Sequence, residues 1–242
     1  MKKRSTEILQ KLLRNPNEEF SLQKLTSEYH ISEKTLRNDI QEIEEFTIES
    51  GFKQVLSFDS QKLSLNGGHD IRRLMDSIYT MNLYQYKMSP EERKIYIVIV
   101  LLYHEGYYSM QQLADELFVT RNTIINDCRL TDNYLKSHEI QFVAKSKLGV
   151  RIFAEEEKIQ EVLVDMFLNL IDSIKSESTF FVRYIIKKAG FIYSLKEIIL
   201  HMNEFTKMNQ LIFAQDVFFE IAVILFVMIN RFRQIRCQKS DI

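Results

Sequence analysis

One short polar-faced segment occurs twice in this chain, and that repetition restricts the possible folds more than any other feature. His30–Ile40 reads HISEKTLRNDI, and 88 positions later Phe118–Cys128 reads FVTRNTIINDC. Between positions 20–40 and their partners at this offset, Ser21/Ser109, Gln23/Gln111, Leu25/Leu113, Glu28/Glu116, Thr35/Thr123, Asn38/Asn126 and Asp39/Asp127 are identical without a gap. A match of this density implies a duplicated structural unit, and two copies are too few for a solenoid.

Each copy reads as helix, helix, tight turn, helix, hairpin. In the first, Ile8, Leu9, Leu12 and Leu13 form the apolar face of a helix over 5–14, which Asn15-Pro16 ends. Ser21 is placed to cap a second helix with Leu22, Leu25 and Tyr29 inward, and Ser32 to cap a third with Leu36, Ile40, Ile43 and Thr47 inward. Gly51 closes the third helix. FKQVLSF and KLSLNGG then read as a hairpin around Asp59-Ser60, which makes the unit a winged helix-turn-helix. A connecting helix is expected over 69–86. MSPEER opens the second copy with Ser89 as N-cap, Pro90 and two glutamates, so the β-branched run IYIVIVLLYHE is expected to be helical. Ser109 to Gln112 has the capping-box pattern, Thr120 caps the following helix, and IQFVAK with GVRIF supplies a second hairpin. From Glu155 onward, four amphipathic stretches predict a helical bundle. The expected architecture is mainly α with small β-wings. It comprises winged helices at 1–67 and 89–154, a connection at 68–88 and a helical regulatory or dimerisation region at 155–242.

Composition supports this frame. With 6 glycines and 2 prolines in 242 residues, long helices are favoured over a turn-rich β fold. The formal charge of −1 supplies no global attraction for nucleic acid, so any such contact must come from local patches. Two cysteines outside any CxxC pattern argue against a disulfide framework or a zinc site and fit a cytoplasmic protein. No apolar run reaches membrane-spanning length, and no membrane partner is expected.

The chemistry lies on the third helix of each copy. With Leu36 and Ile40 inward, Lys34, Asn38, Gln41 and Glu45 point outward and Arg37 sits on the flank. In a helix-turn-helix this helix enters the major groove, where Arg or Lys matches guanine and Asn or Gln matches adenine. Thr35, near the helix start, suits a phosphate or a thymine methyl. The second copy offers Asn122, Thr123, Asn126 and Arg129 with Arg121 on the flank. Lys53 and Lys62 on the first wing, and Lys145 and Lys147 on the second, are placed to meet backbone phosphates. Asp39 and Asp127 border the buried stripe and would repel phosphate, so both are expected to be structural, bonded to backbone or to an arginine. The bland alternative, a merely solvated face, weakens once both copies repeat the Arg/Asn pattern.

No glycine-rich phosphate loop, GxSxG or HExxH is found, and the five histidines are scattered. No enzymatic activity, cofactor or metal is expected.

SPEERKIYIVIVLLYHEGYYSMQQLADELFVTRNTIINDC and the GVRI that follows resemble the second winged helix of the BglG/Mga-type bacterial transcriptional regulators. ISEKTLRNDIQEIEE is similar to that family's first helix-turn-helix. The resemblance spans about residues 1–165. It implies double-stranded DNA as partner, control of carbohydrate uptake or metabolism or of virulence genes, and homodimers formed through the C-terminal helices. The resemblance also implies that a PRD follows, a phosphotransferase-system regulation domain whose histidines are phosphorylated, with phosphotransferase-system proteins as further partners. IAVILFVMINRF is similar to a PRD helix ending at Arg231, which puts Ile224 at the phosphoacceptor position. Ala154 and Gln160 depart from the family pattern, and the resemblance implies that the region at 155–242 is an incomplete PRD. His201, the single histidine there, is a weak phosphoacceptor candidate. Its neighbours place it near the end of an amphipathic helix, where a cation is favourable. The alternative functions are an RNA-binding antiterminator, whose relatives begin with a β-rich RNA module, and a winged-helix protein scaffold.

Overall fold

A computed structural model describes residues 1–59, 61–66, 70–104, 106–170 and 180–240, with side chains to 235. The chain forms two compact units, Met1–Ser89 and Pro90–Ile242.

In the N-terminal unit, α1 (Lys3–Arg14), α2 (Leu22–Glu28) and α3 (Glu33–Glu49) surround a common core. Ile8, Leu9 and Leu12 of α1 meet Leu36, Ile40 and Ile43 of α3, all at most 3% exposed. Their spacing puts each set on one helical face. The hairpin consists of β2 (Leu56–Phe58) and β3 (Lys62–Leu65), and a short β1 (Phe20–Ser21) completes a three-stranded antiparallel sheet in the order β1-β3-β2. Phe20 and Phe58 both pair with Leu63, on opposite edges of β3. This extra strand corrects the expected role of Ser21. Its hydroxyl makes no capping bond, because the residue is in the sheet and the Leu22 N–H donates to Gln61 O. The next helix, α4 (Ile71–Tyr79), is shorter than the expected 69–86 and packs on α1. It stops at Thr80, after which Asn82 Oδ1 accepts the N–H groups of Tyr84 and Gln85 and starts a separate turn. His69, Gly67, Gly68 and Ser60 lie outside the described residues.

The C-terminal unit opens with α5 (Pro90–Tyr103), helical as its start signal implies. Tyr96 to Leu101 are all buried, because α7 (Arg121–Ser137), α9 (Phe180–Lys188) and β5 (Gly149–Phe153) each pack on α5. Burial on every side explains an apolar, β-branched helix whose periodicity is weak. α6 (Met110–Leu117) precedes α7, and β4 (Gln141–Lys145) pairs with β5 from Gln141↔Phe153 to Lys145↔Gly149. Beyond these come α8 (Glu156–Asn169), α10 (Leu195–Met208) and α11 (Gln215–Ser240). Residues 171–179, within and after the stretch expected to be helical from Glu155, lie outside the described residues.

α11 packs on α8 and α10, and the rings of Phe167, Phe191 and Phe226 sit 5.1–5.4 Å apart between centroids. Two buried polar side chains of α11 fasten this packing. The Asn230 amide accepts from Ile192 N and Tyr193 N and donates to Tyr193 O and Phe226 O, which uses its full donor set. Arg231 grips the Glu156 carboxylate through Nε and Nη2, each at 2.9 Å, and stacks over Tyr103. Among the described residues no helix is long and apolar enough to cross a membrane.

Candidate nucleic-acid interface

The two units follow the same backbone path where their sequences repeat, and also where they do not. The second helix ends at a left-handed residue in both, His30 (φ 51°) and Phe118 (φ 53°), although neither is glycine. The following amide reaches back identically, Ile31 N to Thr26 O and Val119 N to Ala114 O, each 3.0 Å. The third helix then starts on a hydroxyl cap, with Thr35 N donating to Ser32 Oγ and Thr123 N to Thr120 Oγ1, both at 3.2 Å. It also ends alike, at left-handed Gly51 and Glu139. This geometry fixes the angle at which α3 and α7 leave the turn, and so which side chains project.

Asp39 and Asp127 are structural, as their place beside the buried stripe predicts. Arg4 Nε and Nη2 donate to Asp39 at 2.5 and 3.1 Å, and Arg93 makes the same fork on Asp127 at 2.7 and 3.1 Å. In each unit the first helix therefore clamps the third through a bidentate pair. These arginines were not legible in the repeat. They stand 35 and 34 residues before their aspartates, so the 88-residue offset does not superpose them. A search permitting a one-residue shift would have found them. Ser5 and the Lys2 N–H add hydrogen bonds to Glu42. Burial opposes ionisation of Glu42, but these two bonds together with the charges of Lys2 and the N-terminal ammonium hold its pKa below the usual carboxylate value. The repeated Glu28/Glu116 likewise ties the second helix to the first. Glu28 pairs with Lys11, whereas Glu116 accepts from Tyr96 and Tyr108 and meets Lys188 at 3.6 Å.

Every outward residue expected on the third helices is exposed: Lys34, Arg37, Asn38 and Gln41 on α3, and Arg121, Asn122, Asn126 and Arg129 on α7. Thr35 and Thr123 are half-buried, their hydroxyls within 2.8 and 2.9 Å of the capping hydroxyls. The two faces differ in charge. On α3, Arg37 is held by Glu33 at 2.6 Å and lies over the Phe58 ring, and Gln41 Nε2 donates to Glu45. Among the described residues no such acid holds Arg121 or Arg129 on α7, and the position equivalent to Glu33 is Arg121 itself.

The wings differ in the same sense. Lys62 is tied to Glu19. Lys53 is exposed but lies in the connection between α3 and β2, not on a wing strand as expected, because β2 begins only at Leu56. Lys145 ends β4, with its ammonium 5.2 Å from the Tyr107 ring centre, and Lys147 is in the turn with φ 66°.

His201 is corrected by the helix it occupies. α10 continues to Met208, so His201 lies at mid-helix and not near an end, with its side chain 77% exposed and Nδ1 3.5 Å from Glu204. Ile224 is half-buried on α11. Among the described residues no three His, Cys, Asp or Glu side chains are grouped to hold a metal ion.

An antiparallel-sheet hairpin behind a capped, outward-facing third helix defines a helix-turn-helix protein in the N-terminal unit, and the HTH domain family matches residues 4–50. Two curated relatives extend the likeness along the chain. "Transcriptional regulator ManR" of Bacillus subtilis (strain 168) is 24% identical over 231 residues, covering 95% of this chain and 35% of the relative. "Probable licABCH operon regulator" of the same strain is 22% identical over 144 residues, covering 59% of this chain and 22% of the relative. The chain thus spans about a third or less of the length of these relatives.

Proposed function

We propose that this chain acts as a sequence-specific, DNA-binding transcriptional regulator of carbohydrate uptake or metabolism genes. In this reading winged helices at 1–67 and 89–154 each insert a recognition helix, α3 and α7, into a major groove. The helical region from 155 on acts as a PRD-like regulatory and dimerisation element. The observation that carries the reading is the matched pair of third helices, each with its first turn exposed, polar and capped. Two relatives named as regulators support it from the side of sequence. The base-reading set is Lys34, Arg37, Asn38 and Gln41 on α3 and Arg121, Asn122, Asn126 and Arg129 on α7. Thr35 and Thr123 lie at the helix starts nearest the backbone.

Selection of genomic fragments bound by the full chain supplies the operator. Arg129→Ala is then expected to weaken operator binding by roughly 1–3 kcal/mol, on the order of 5- to 150-fold, because an arginine on a guanine edge makes two hydrogen bonds. Arg37→Ala is expected at the lower end of that range, since Arg37 gives up the Glu33 pair to reach a base. Unchanged affinity in both variants, measured by fluorescence anisotropy, rules out readout by these helices.

The C-terminal helices support the dimer. Leu200, Phe205 and Met208 of α10 and Val217, Met228 and Phe232 of α11 are each 45–83% exposed, an apolar display that monomeric surfaces seldom carry. Light scattering of the full chain at micromolar concentration is expected to give a dimer, and Phe205→Glu with Phe232→Glu a monomer. A monomeric unsubstituted chain removes the dimer from the proposal. Ile224 cannot accept phosphate, so phosphotransfer through α11 at that position forms no part of the reading.

A further inference from the structure

The wing of the C-terminal unit closes a cleft that the N-terminal unit does not reproduce in charge. Ser109, Met110 and Gln111 at the start of α6, Arg121 at the start of α7, and Ala144 to Lys147 with Gly149 on the wing enclose an open space of about 380 Å³. Its walls are held rigidly. Tyr108 and Val150 exchange backbone hydrogen bonds of 2.7 and 2.8 Å, which dock β5 against the residues that enter α6. Gly149 lies so close to them that a Cβ there would stand 2.0 Å from Tyr108 O. Arg121 at the start of α7 and Lys145 and Lys147 on the wing all line this cleft. The Gln111 side chain is turned to Asp115, one turn along α6. The capping box of Ser109 and Gln112 uses their own N–H groups and leaves those of Met110 and Gln111 without an intrahelical acceptor.

The corresponding region of the N-terminal unit is acidic. Its third helix starts with Glu33 where α7 starts with Arg121. Its wing turn carries Asp59, whose carboxylate accepts the N–H groups of Gln61 and Lys62, and Lys62 is neutralised by Glu19. Counting whole helices, α3 has 2 cations (Lys34, Arg37) against 6 acids (Glu33, Asp39, Glu42, Glu44, Glu45, Glu49), a net of −4. α7 has 3 cations (Arg121, Arg129, Lys136) against 2 acids (Asp127, Asp132), a net of +1. Phosphate affinity follows the number of cations that can displace counterions, so the two copies cannot contribute equally.

We propose that the cleft between the second wing and the starts of α6 and α7 is the principal phosphate-anchoring site of this chain, in which Arg121, Lys145 and Lys147 seat a backbone phosphate of duplex DNA. The inference rests on the DNA-binding reading above and adds an asymmetry to it. The C-terminal unit supplies most of the salt-dependent grip, while α3 adds sequence discrimination with little net charge.

The test uses the full chain and a random-sequence 30-base-pair duplex, with anisotropy titrations over a range of salt concentrations. The substitutions Arg121→Ala, Lys145→Ala and Lys147→Ala together are expected to raise Kd at least tenfold. They should also flatten the plot of log K against log salt by about 0.9, the slope carried by the one phosphate that is no longer neutralised. Lys34→Ala, Arg37→Ala and Lys53→Ala together are expected to raise Kd by a smaller factor than the first variant does. All six residues are on the surface, and an unchanged circular-dichroism melt verifies folding of both variants. An equal or larger loss in the second variant overturns the inference but leaves the DNA-binding reading intact. An unsubstituted chain that binds no duplex at low salt overturns that reading itself.

Discussion

Arg93→Ala is expected to destabilise the C-terminal unit by about 3–5 kcal/mol, the usual cost of stranding one member of a buried ion pair. Asp127 is almost wholly enclosed, and Arg93 supplies two of the hydrogen bonds that compensate its charge. Without the guanidinium, the carboxylate must either stay charged in an apolar setting or take up a proton, and both are costly. Arg4→Ala in the N-terminal unit is expected to cost less. Arg4 is 31% exposed against 12% for Arg93, so water can reach the vacated position, and Ser5 retains a bond to Asp39. Urea denaturation followed by far-ultraviolet circular dichroism measures both. A loss below 1 kcal/mol for Arg93→Ala would mean that apolar packing of α5 on α7 holds the unit without the clamp.

Gly149→Ala is expected to detach the second wing. The residue adopts φ +112°, and the added methyl carbon would meet backbone atoms, Tyr108 O at 2.0 Å, Tyr108 C at 2.6 Å and Ser109 Cα at 2.7 Å. No side-chain rotation relieves a clash with backbone. The paired hydrogen bonds between Tyr108 and Val150 must open or the strand must shift. Backbone strain together with the loss of two hydrogen bonds amounts to about 3 kcal/mol or more. Gly51→Ala is the control. Its φ of +88° carries similar strain, but nothing lies within 4 Å of its Cβ position, so it should cost about 1 kcal/mol. Hydrogen exchange reads the difference directly. The Val150 amide should lose protection in Gly149→Ala and keep it in Gly51→Ala. Protection retained in both would show that the wing docks without this close approach. If Lys145 and Lys147 on the same wing anchor duplex DNA as proposed, duplex binding should fall together with the protection of Val150.

The duplication explains why Arg4→Ala and Arg93→Ala form a pair. Three helices packed in this way need a clamp between the first and third and a rigid turn between the second and third. Both units meet these needs with Arg4–Asp39 and Arg93–Asp127, and with left-handed His30 and Phe118. Residues free of these duties differ between the copies, and at the starts of the third helices, Glu33 against Arg121, the difference is one of charge. That pattern is expected when the scaffold is held by packing and only the exposed face is adapted to a ligand.

Several features followed from the sequence by itself. The hydroxyl caps at Ser32, Thr120 and Ser109, the apolar spacing of Leu36, Ile40 and Ile43, and the second hairpin depend on interactions within a few residues, and such signals survive in linear order. The structural role of Asp39 and Asp127 was also legible, because an acid beside a buried stripe has few other uses. Tertiary structure alone decided the rest. β1 is two residues long and exists only because β3 offers it an edge, so Ser21, with every local mark of a cap, makes no capping bond. α4 ends early at an Asn82 turn, and His201 lies at mid-helix because α10 runs on to Met208. The partners of the buried aspartates lie more than thirty residues away, beyond any local pattern. Above all, sequence periodicity marked the same polar face on both third helices but could not say which cations were already neutralised. Arg37 beside Glu33 and Lys62 beside Glu19, against Arg121, Lys145 and Lys147 gathered around one cleft, is a difference set by where the folded backbone brings charges together.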